Sequence, residues 1–353
     1  MHKLTNLQTQ LKAKDIDALL VTNPYNRRYI TQFTGTAGVA LVTMSEAYFI
    51  TDFRYIEQAN EQATDFSIVQ HHGPIEDELS KLIQKLAIDR LGFEEDHVTY
   101  QEYTTFKEKF PSQLVPVNEI IEILRLKKTE EEIAILKEAA QIADDAFEHI
   151  LHFMKPGVQE IDIANELEFF MRKQGATSSS FDIIVASGDR SALPHGVASS
   201  KEIKHGELVT LDFGALYKGY CSDITRTVAI GDVSEELTTI YDTVLEAQKR
   251  GVEGIKPKMT GKEADALARD YIKSKGYGQY FGHSTGHGIG LEVHEGPTLS
   301  PRSQIVLEKN MVVTVEPGIY VPNVGGCRIE DDIVLTDSGN DRLTFAPKEL
   351  IYI

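Results

Sequence analysis

Cysteine is scarce in this sequence: only Cys221 and Cys327 among 353 residues. Two cysteines cannot build a disulfide framework, and no paired Cys-x-x-Cys spacing exists. Small buried residues are the expected role. Long apolar runs are missing as well. No stretch approaches the roughly 20 apolar residues that span a bilayer. The opening Met1-His2-Lys3-Leu4-Thr5-Asn6 lacks the apolar core of a secretory signal. A cytoplasmic protein with no membrane partner is expected. Basic charge is also short: 36 Lys and Arg against 54 Asp and Glu leave a net charge of -18. Such a chain repels phosphate backbones, so nucleic acid is not an expected partner. What remains plentiful is carboxylate, available as a metal ligand.

The length favours two domains. The first ~120 residues alternate short apolar runs, Ala18-Leu19-Leu20-Val21 and Val39-Ala40-Leu41-Val42, with helical stretches such as Ile75 to Leu86, which predicts a small α/β domain. Leu124-Arg125-Leu126-Lys127-Lys128 is charged and reads as a linker. Thr129-Glu130-Glu131-Glu132 is a capping box opening a helix whose apolar positions run from Ile133 to Ile150. The boundary is placed near residue 125, giving domains 1–125 and 126–353.

The second domain repeats itself. Lys155-Pro156 recurs as Lys256-Pro257, His195-Gly196 as His287-Gly288, and Leu208-Val209-Thr210-Leu211-Asp212 as Val312-Val313-Thr314-Val315-Glu316. Each copy closes on a second acidic strand, around Asp223 and Glu330. A duplicated α+β unit with pseudo-twofold symmetry is predicted. Folding one hairpin about Tyr217-Lys218, where Lys218-Gly219 supplies turn chemistry, brings Asp212 and Asp223 opposite or nearly so. Folding the other about Asn323 does the same for Glu316 and Glu330. Like charges paired across strands destabilise a sheet, and buried unpaired carboxylates are worse. Four acids flanked by apolar residues therefore call for cations, and two divalent ions balance them. His287, in a glycine-rich loop from Gly282 to Gly290, supplies a nitrogen ligand. Oxygen ligands with one imidazole suit Mn²⁺, with Co²⁺, Fe²⁺ or Zn²⁺ also open. The same loop lacks the Lys-Ser/Thr of a phosphate cradle, and the His283/His287 spacing lacks the glutamate and helix of a zincin.

The ordered set Asp212, Asp223, His287, Glu316 and Glu330 resembles the metal site of the pita-bread metallopeptidases. The motifs are Leu211-Asp212-Phe213-Gly214, Ser222-Asp223-Ile224-Thr225-Arg226-Thr227, Gly286-His287-Gly288-Ile289-Gly290, Val315-Glu316-Pro317-Gly318 and Arg328-Ile329-Glu330-Asp331. Asn23-Pro24-Tyr25-Asn26, Thr51-Asp52-Phe53-Arg54-Tyr55 and the extra amino-terminal domain resemble the proline-specific branch, aminopeptidase P and prolidase. Arg328 stands where that branch carries arginine; an Arg328 that neutralises a ligand carboxylate is equally compatible. The resemblance implies a dinuclear metallo-exopeptidase that hydrolyses Xaa-Pro bonds of dipeptides or short peptides with a bridging hydroxide. It implies Glu316 as proton acceptor and ligand, and a homodimer with the amino-terminal domain of one subunit near the other's site. His195, His283 and His294 match family histidines and are candidate donors or proton shuttles, set against an ordinary structural role. Arg302 is a candidate anchor for a dipeptide's terminal carboxylate, or simply a solvated loop charge. The alternatives are a methionine aminopeptidase-like exopeptidase and a non-catalytic pita-bread binding module.

Overall fold

The computed structural model describes residues 3–353, and contacts divide the chain into units 1–125 and 126–353. In the first unit the elements run α1 (Lys3–Ala13), β1 (Ala18–Val21), α2 (Pro24–Thr31), β2 (Val39–Thr43), β3 (Ala47–Thr51), α3 (Ile56–Gln62), β4 (Ser67–Gln70), α4 (Ile75–Lys85), β5 (Arg90–Glu94), α5 (Tyr100–Lys109), β6 (Gln113–Val117) and α6 (Glu122–Arg125). The strands form one sheet in the order β4-β3-β2-β1-β5-β6. β1 runs parallel to β5 and antiparallel to β2, so the sheet is mixed. All four residues of β1 are buried, as a central strand covered on both faces requires.

The second unit contains α7 (Glu130–Phe153), α8 (Glu160–Lys173), β7 (Ser178–Ser179), β8 (Ile184–Ser187), β9 (Glu207–Phe213), β10 (Ala215–Tyr217), β11 (Tyr220–Cys221) and β12 (Ile224–Ile230). It continues through α9 (Glu235–Gly254), α10 (Gly261–Ser274), β13 (Gly286–Gly288), β14 (Glu295–Leu299), β15 (Val312–Val315), β16 (Gly318–Val321), β17 (Gly325–Arg328), β18 (Asp331–Leu335) and β19 (Asn340–Arg342). The capping box read at Thr129 is present: Thr129 caps the Glu132 amide and Glu132 reaches back to the Thr129 amide. Two helices followed by a long hairpin occur twice, with sheets β12-β9-β8 and β14-β13-β15-β18-β19. In the first half Ile142, Phe147, Ile163 and Leu167 pack on Val209, Leu211 and Val228. In the second Ile255, Ala264, Val313, Val315 and Ile333 share a core.

Three expectations change. The charged stretch 124–128 is no solvated linker. Arg125 is buried within the first unit, where it donates to Asn26. Lys128 is buried in the second, paired with Glu295 at 2.7 Å. The first hairpin turns at Lys218-Gly219, the turn residues read from the sequence, but its strands pair about that bond and not about Tyr217-Lys218. Both turn residues have positive φ, 48° and 83°, the pattern of a type I′ turn. Tyr217 therefore pairs with Tyr220, and Asp212 faces Thr225, with Asp223 two residues away on the same face. Third, His287 lies on strand β13, not in a loop. Ile184 pairs with Asp212 in one half, while Glu316 N donates to Thr285 O in the other. Ala186, two residues after Ile184, is thus the counterpart of His287. His195 lies outside that pairing, and the repetition of His-Gly in the sequence was a coincidence of spacing.

Candidate metal centre

The second hairpin has the register read from the sequence. Val315 faces Asp331 and Gly318 faces Arg328, so Glu316 and Glu330 stand opposite each other about Asn323. His287 reaches the same place because two glycines flank it. A Cβ at Gly286 would lie 1.9 Å from Thr314 O, and one at Gly288 would lie 1.8 Å from Gly296 O. Only bare backbone lets β14 and β15 close on both sides of the histidine. His287 Nδ1 bonds Gly288 O at 3.1 Å, which leaves Nε2 facing Glu316 Oε1 at 3.2 Å and Asp223 Oδ2 at 3.8 Å. Ligand atoms of Asp223, His287 and Glu330 all lie within 4.8 Å of one another.

Asp212, Asp223 and Glu330 are buried and Glu316 half-buried, and their oxygens are not all satisfied. Asp212 Oδ1, Asp223 Oδ1 and Glu330 Oε1 lack any hydrogen-bond partner, and so does Oδ1 of the neighbouring Asp332. An orphaned buried carboxylate oxygen costs several kcal/mol, on the order of the penalty for an unpaired buried charge. Burial, then the charges of Glu330 and Asp212, push the Asp223 carboxyl far above its ordinary range. Burial, then Glu316 and Asp212, do the same to Glu330. Burial also opposes the charge on Glu316, but the hydrogen bond and charge of His287, with the charges of His283 and Arg328, together outweigh it and hold that carboxyl below its usual range. The donor set, four carboxylates and one imidazole with free oxygens turned inward, fits divalent cations.

A second layer fixes the ligands. Arg328, buried, donates to Asp212 Oδ2 through Nη2, to Thr225 Oγ1 through Nε at 3.2 Å, and to Tyr320 Oη and Pro194 O through Nη1 at 2.6 and 3.1 Å. Thr225 Oγ1 in turn donates to Glu330 Oε2 at 2.6 Å. Tyr320 accepts from Arg328, so its proton goes to His283 Nε2 at 2.8 Å, and His283 Nδ1 donates to Ser284 O at 2.8 Å. Both ring nitrogens are engaged in the neutral form, and burial lowers the pKa of His283 accordingly. The His294 ring stands 4.4 Å from that of His287, edge to face. His195 is exposed beside Pro194, and its charge acts on His294. Arg302 is exposed on the connection from β14 to β15. Among the described residues it has no ion pair or hydrogen bond, so it is not brought to the cluster.

Sequence reading missed Tyr320, the hydroxyl of Thr225, and Asp332. Asp332 Oδ2 accepts from Asp223 N at 3.0 Å, and burial pushes its carboxyl up to about 8. Three consecutive acids, Glu330, Asp331 and Asp332, inside the otherwise apolar run Ile329 to Leu335 were the available signal for it. Nothing in strand alternation singles out Tyr320.

The profile of metallopeptidase family M24 matches residues 134–337, more than half of the chain. The chain belongs to this family. The M24 region is preceded by a match to the Creatinase/Prolidase N-terminal domain over residues 3–127. The chain is 42% identical to the Xaa-Pro dipeptidase of Pyrococcus furiosus, over 99% of each chain. Among solved structures, the Xaa-Pro dipeptidase from Bacillus anthracis matches with TM-score 0.99 and 62% identity over 99% of both chains. An X-Pro aminopeptidase from Thermotoga maritima matches with TM-score 0.91 and 41% identity over 96% and 98%. The duplicated M24 unit is the pita-bread fold, and the chain is a metallopeptidase.

Proposed function

We propose that this chain is a manganese-dependent Xaa-Pro dipeptidase. The observation that carries the metal dependence is the set of orphaned carboxylate oxygens at Asp212, Asp223 and Glu330 beside His287 and Glu316. Those five side chains would hold two divalent ions, a donor set suited to Mn²⁺, with Co²⁺, Fe²⁺ or Zn²⁺ as substitutes. The chemistry supplied by ions held there would be a lower pKa for water, towards about 7, and polarisation of the scissile carbonyl. Glu316, kept ionised by His287, accepts the proton lost by the attacking water. An Xaa-Pro bond is a tertiary amide, so the leaving prolyl nitrogen needs a proton. His195 and His294 stand free to supply it, whereas His283 is held by Tyr320 and Ser284. Arg328 keeps Asp212 in place and so acts on the ligands.

The dipeptidase reading leans on the P. furiosus and B. anthracis relatives. The T. maritima aminopeptidase supports a second reading in which longer peptides are accepted. Turnover of Ala-Pro and Ala-Pro-Ala with Mn²⁺ decides: a dipeptidase cleaves the first and spares the second. Equal turnover would install the aminopeptidase, and turnover of neither would remove the proline-specific reading. If Arg302 anchors the dipeptide carboxylate, Arg302→Ala raises KM for Ala-Pro alone. The resemblance to the proline-specific branch is what supports a homodimer; both cysteines are free and buried, as suits a reducing cytoplasm, and no helix of the described residues is long and apolar enough to cross a membrane. Sedimentation analysis reads the oligomeric state directly.

A further inference from the structure

The His195 imidazole has no hydrogen-bond partner among the described residues, so its position depends on the loop that carries it. That loop, between β8 and residue 199, is fastened at both ends by one side chain. Glu160, at the start of α8 and fully buried, accepts from Ser187 N and Oγ through Oε1, at 2.9 and 2.8 Å. Its Oε2 accepts from Ser199 N and Oγ at 3.2 and 2.6 Å, and from Arg190 Nη1 at 3.2 Å. Arg190 then crosses the loop, donating through Nη2 to Val197 O at 2.7 Å. The loop's far side rests on β17, where Gly326 N donates to Ser191 Oγ at 2.8 Å and Arg328 Nη1 to Pro194 O. The loop backbone on both sides of His195 is tied, while its imidazole is exposed.

The other half of the unit contains the same kind of device. Asp265 on α10, also buried, accepts from Thr285 N and Oγ1 at 3.1 and 2.8 Å and from Arg269 at 2.6 and 2.8 Å. Arg269 donates onward to Phe281 O and His283 O at 3.1 and 2.6 Å. In each half, an acid and an arginine tie down a segment carrying a histidine of the site. We propose that Glu160 and Arg190 form a positioning clasp that sets where His195 stands over the carboxylate cluster. This rests on the reading of His195 as the proton donor.

Glu160→Gln tests it, because the amide keeps the volume but turns an NH₂ group toward donors. Facing Ser199, it meets an N–H and the Arg190 guanidinium; flipped, it meets Ser187 N–H. Two readouts are needed. Amide hydrogen exchange on the metal-free chain should rise about tenfold across 188–199 and stay unchanged in β9. With Mn²⁺ and Ala-Pro, kcat should fall about 10- to 100-fold, the cost of a misplaced group, with KM little altered. The kcat loss should vanish when Glu160→Gln is placed in a His195→Ala background. Ser199→Ala, which removes one donor at the loop's end, gives a milder version should Glu160→Gln fail to fold. Unchanged exchange in both variants, or an equal kcat loss in both backgrounds, overturns the clasp. A wild type that cleaves no Xaa-Pro peptide removes the proposed function instead, and the exchange result still decides whether Glu160 orders the loop.

Discussion

Thr225 illustrates how much one hydroxyl holds at the residue scale. Its Oγ1 donates to Glu330 Oε2 and accepts from Arg328 Nε, which itself holds Asp212. The hydroxyl therefore joins ligands from both halves of the duplicated unit. Thr225→Val keeps the shape and leaves Glu330 Oε2 and Arg328 Nε without that partner. Such a loss costs about 1–3 kcal/mol of stability and weakens metal binding about 10- to 100-fold. Titration calorimetry with Mn²⁺ measures the second figure, and wild-type affinity in the variant would show that Thr225 does not orient Glu330.

At the scale of elements, the close approach of β13 to its neighbours places the imidazole. Gly286→Ala drives a methyl group against the backbone of β15, so the strands must part and His287 moves with them. Folding with reduced metal uptake is the expected result, read as ions per chain by elemental analysis; full uptake would mean the sheet absorbs the methyl elsewhere. Arg226, on β12, works at the same scale. It is buried and bonds Glu330 O, Asp331 Oδ1 and the carbonyls of Ala346 and Pro347. The strand after Glu330 and the carboxy-terminal segment are thus fastened to the first hairpin. Arg226→Ala leaves Asp331 short of one cation in a dry environment and should destabilise by about 3–5 kcal/mol. Urea unfolding followed by circular dichroism reads this directly, and a loss under 1 kcal/mol, about the value of an exposed pair, would refute it.

For the whole molecule, the cluster of acids sets how stability depends on pH and metal. Burial and mutual repulsion raise the folded-state pKa of Asp223 and Glu330 and bring Asp332 to about 8. Between the ordinary carboxylate range and those raised values, the folded chain binds more protons than the unfolded one. Stability without metal therefore falls as pH rises through that window. Divalent ions remove the repulsion, since they bind the ionised acids. Chelation with EDTA should lower Tm at pH 8 more than at pH 5. An equal shift at both values would mean these carboxyls are not what the ions neutralise.

Chemistry and order along the chain were legible without coordinates. Acids inside apolar strand runs, glycine beside His287 and turn residues between strands are local signals, because strand alternation and burial cost act over a few residues. The second hairpin's register followed from the symmetry of its sequence about Asn323. In the first, the turn residues Lys218-Gly219 were legible, but the pairing is shifted by two residues from the symmetry of its two acids, because the type I′ turn centres on the Lys218-Gly219 bond. Tertiary structure alone decided the rest. Whether Arg125 and Lys128 are solvated depends on partners distant in sequence, such as Asn26 and Glu295. The same holds for the bond from Tyr320 to His283, the exposure of Arg302, and the grip of Glu160 on a loop 27 to 39 residues away. A buried polar group must find its complement wherever the folded chain provides one, and local sequence carries no record of where that is.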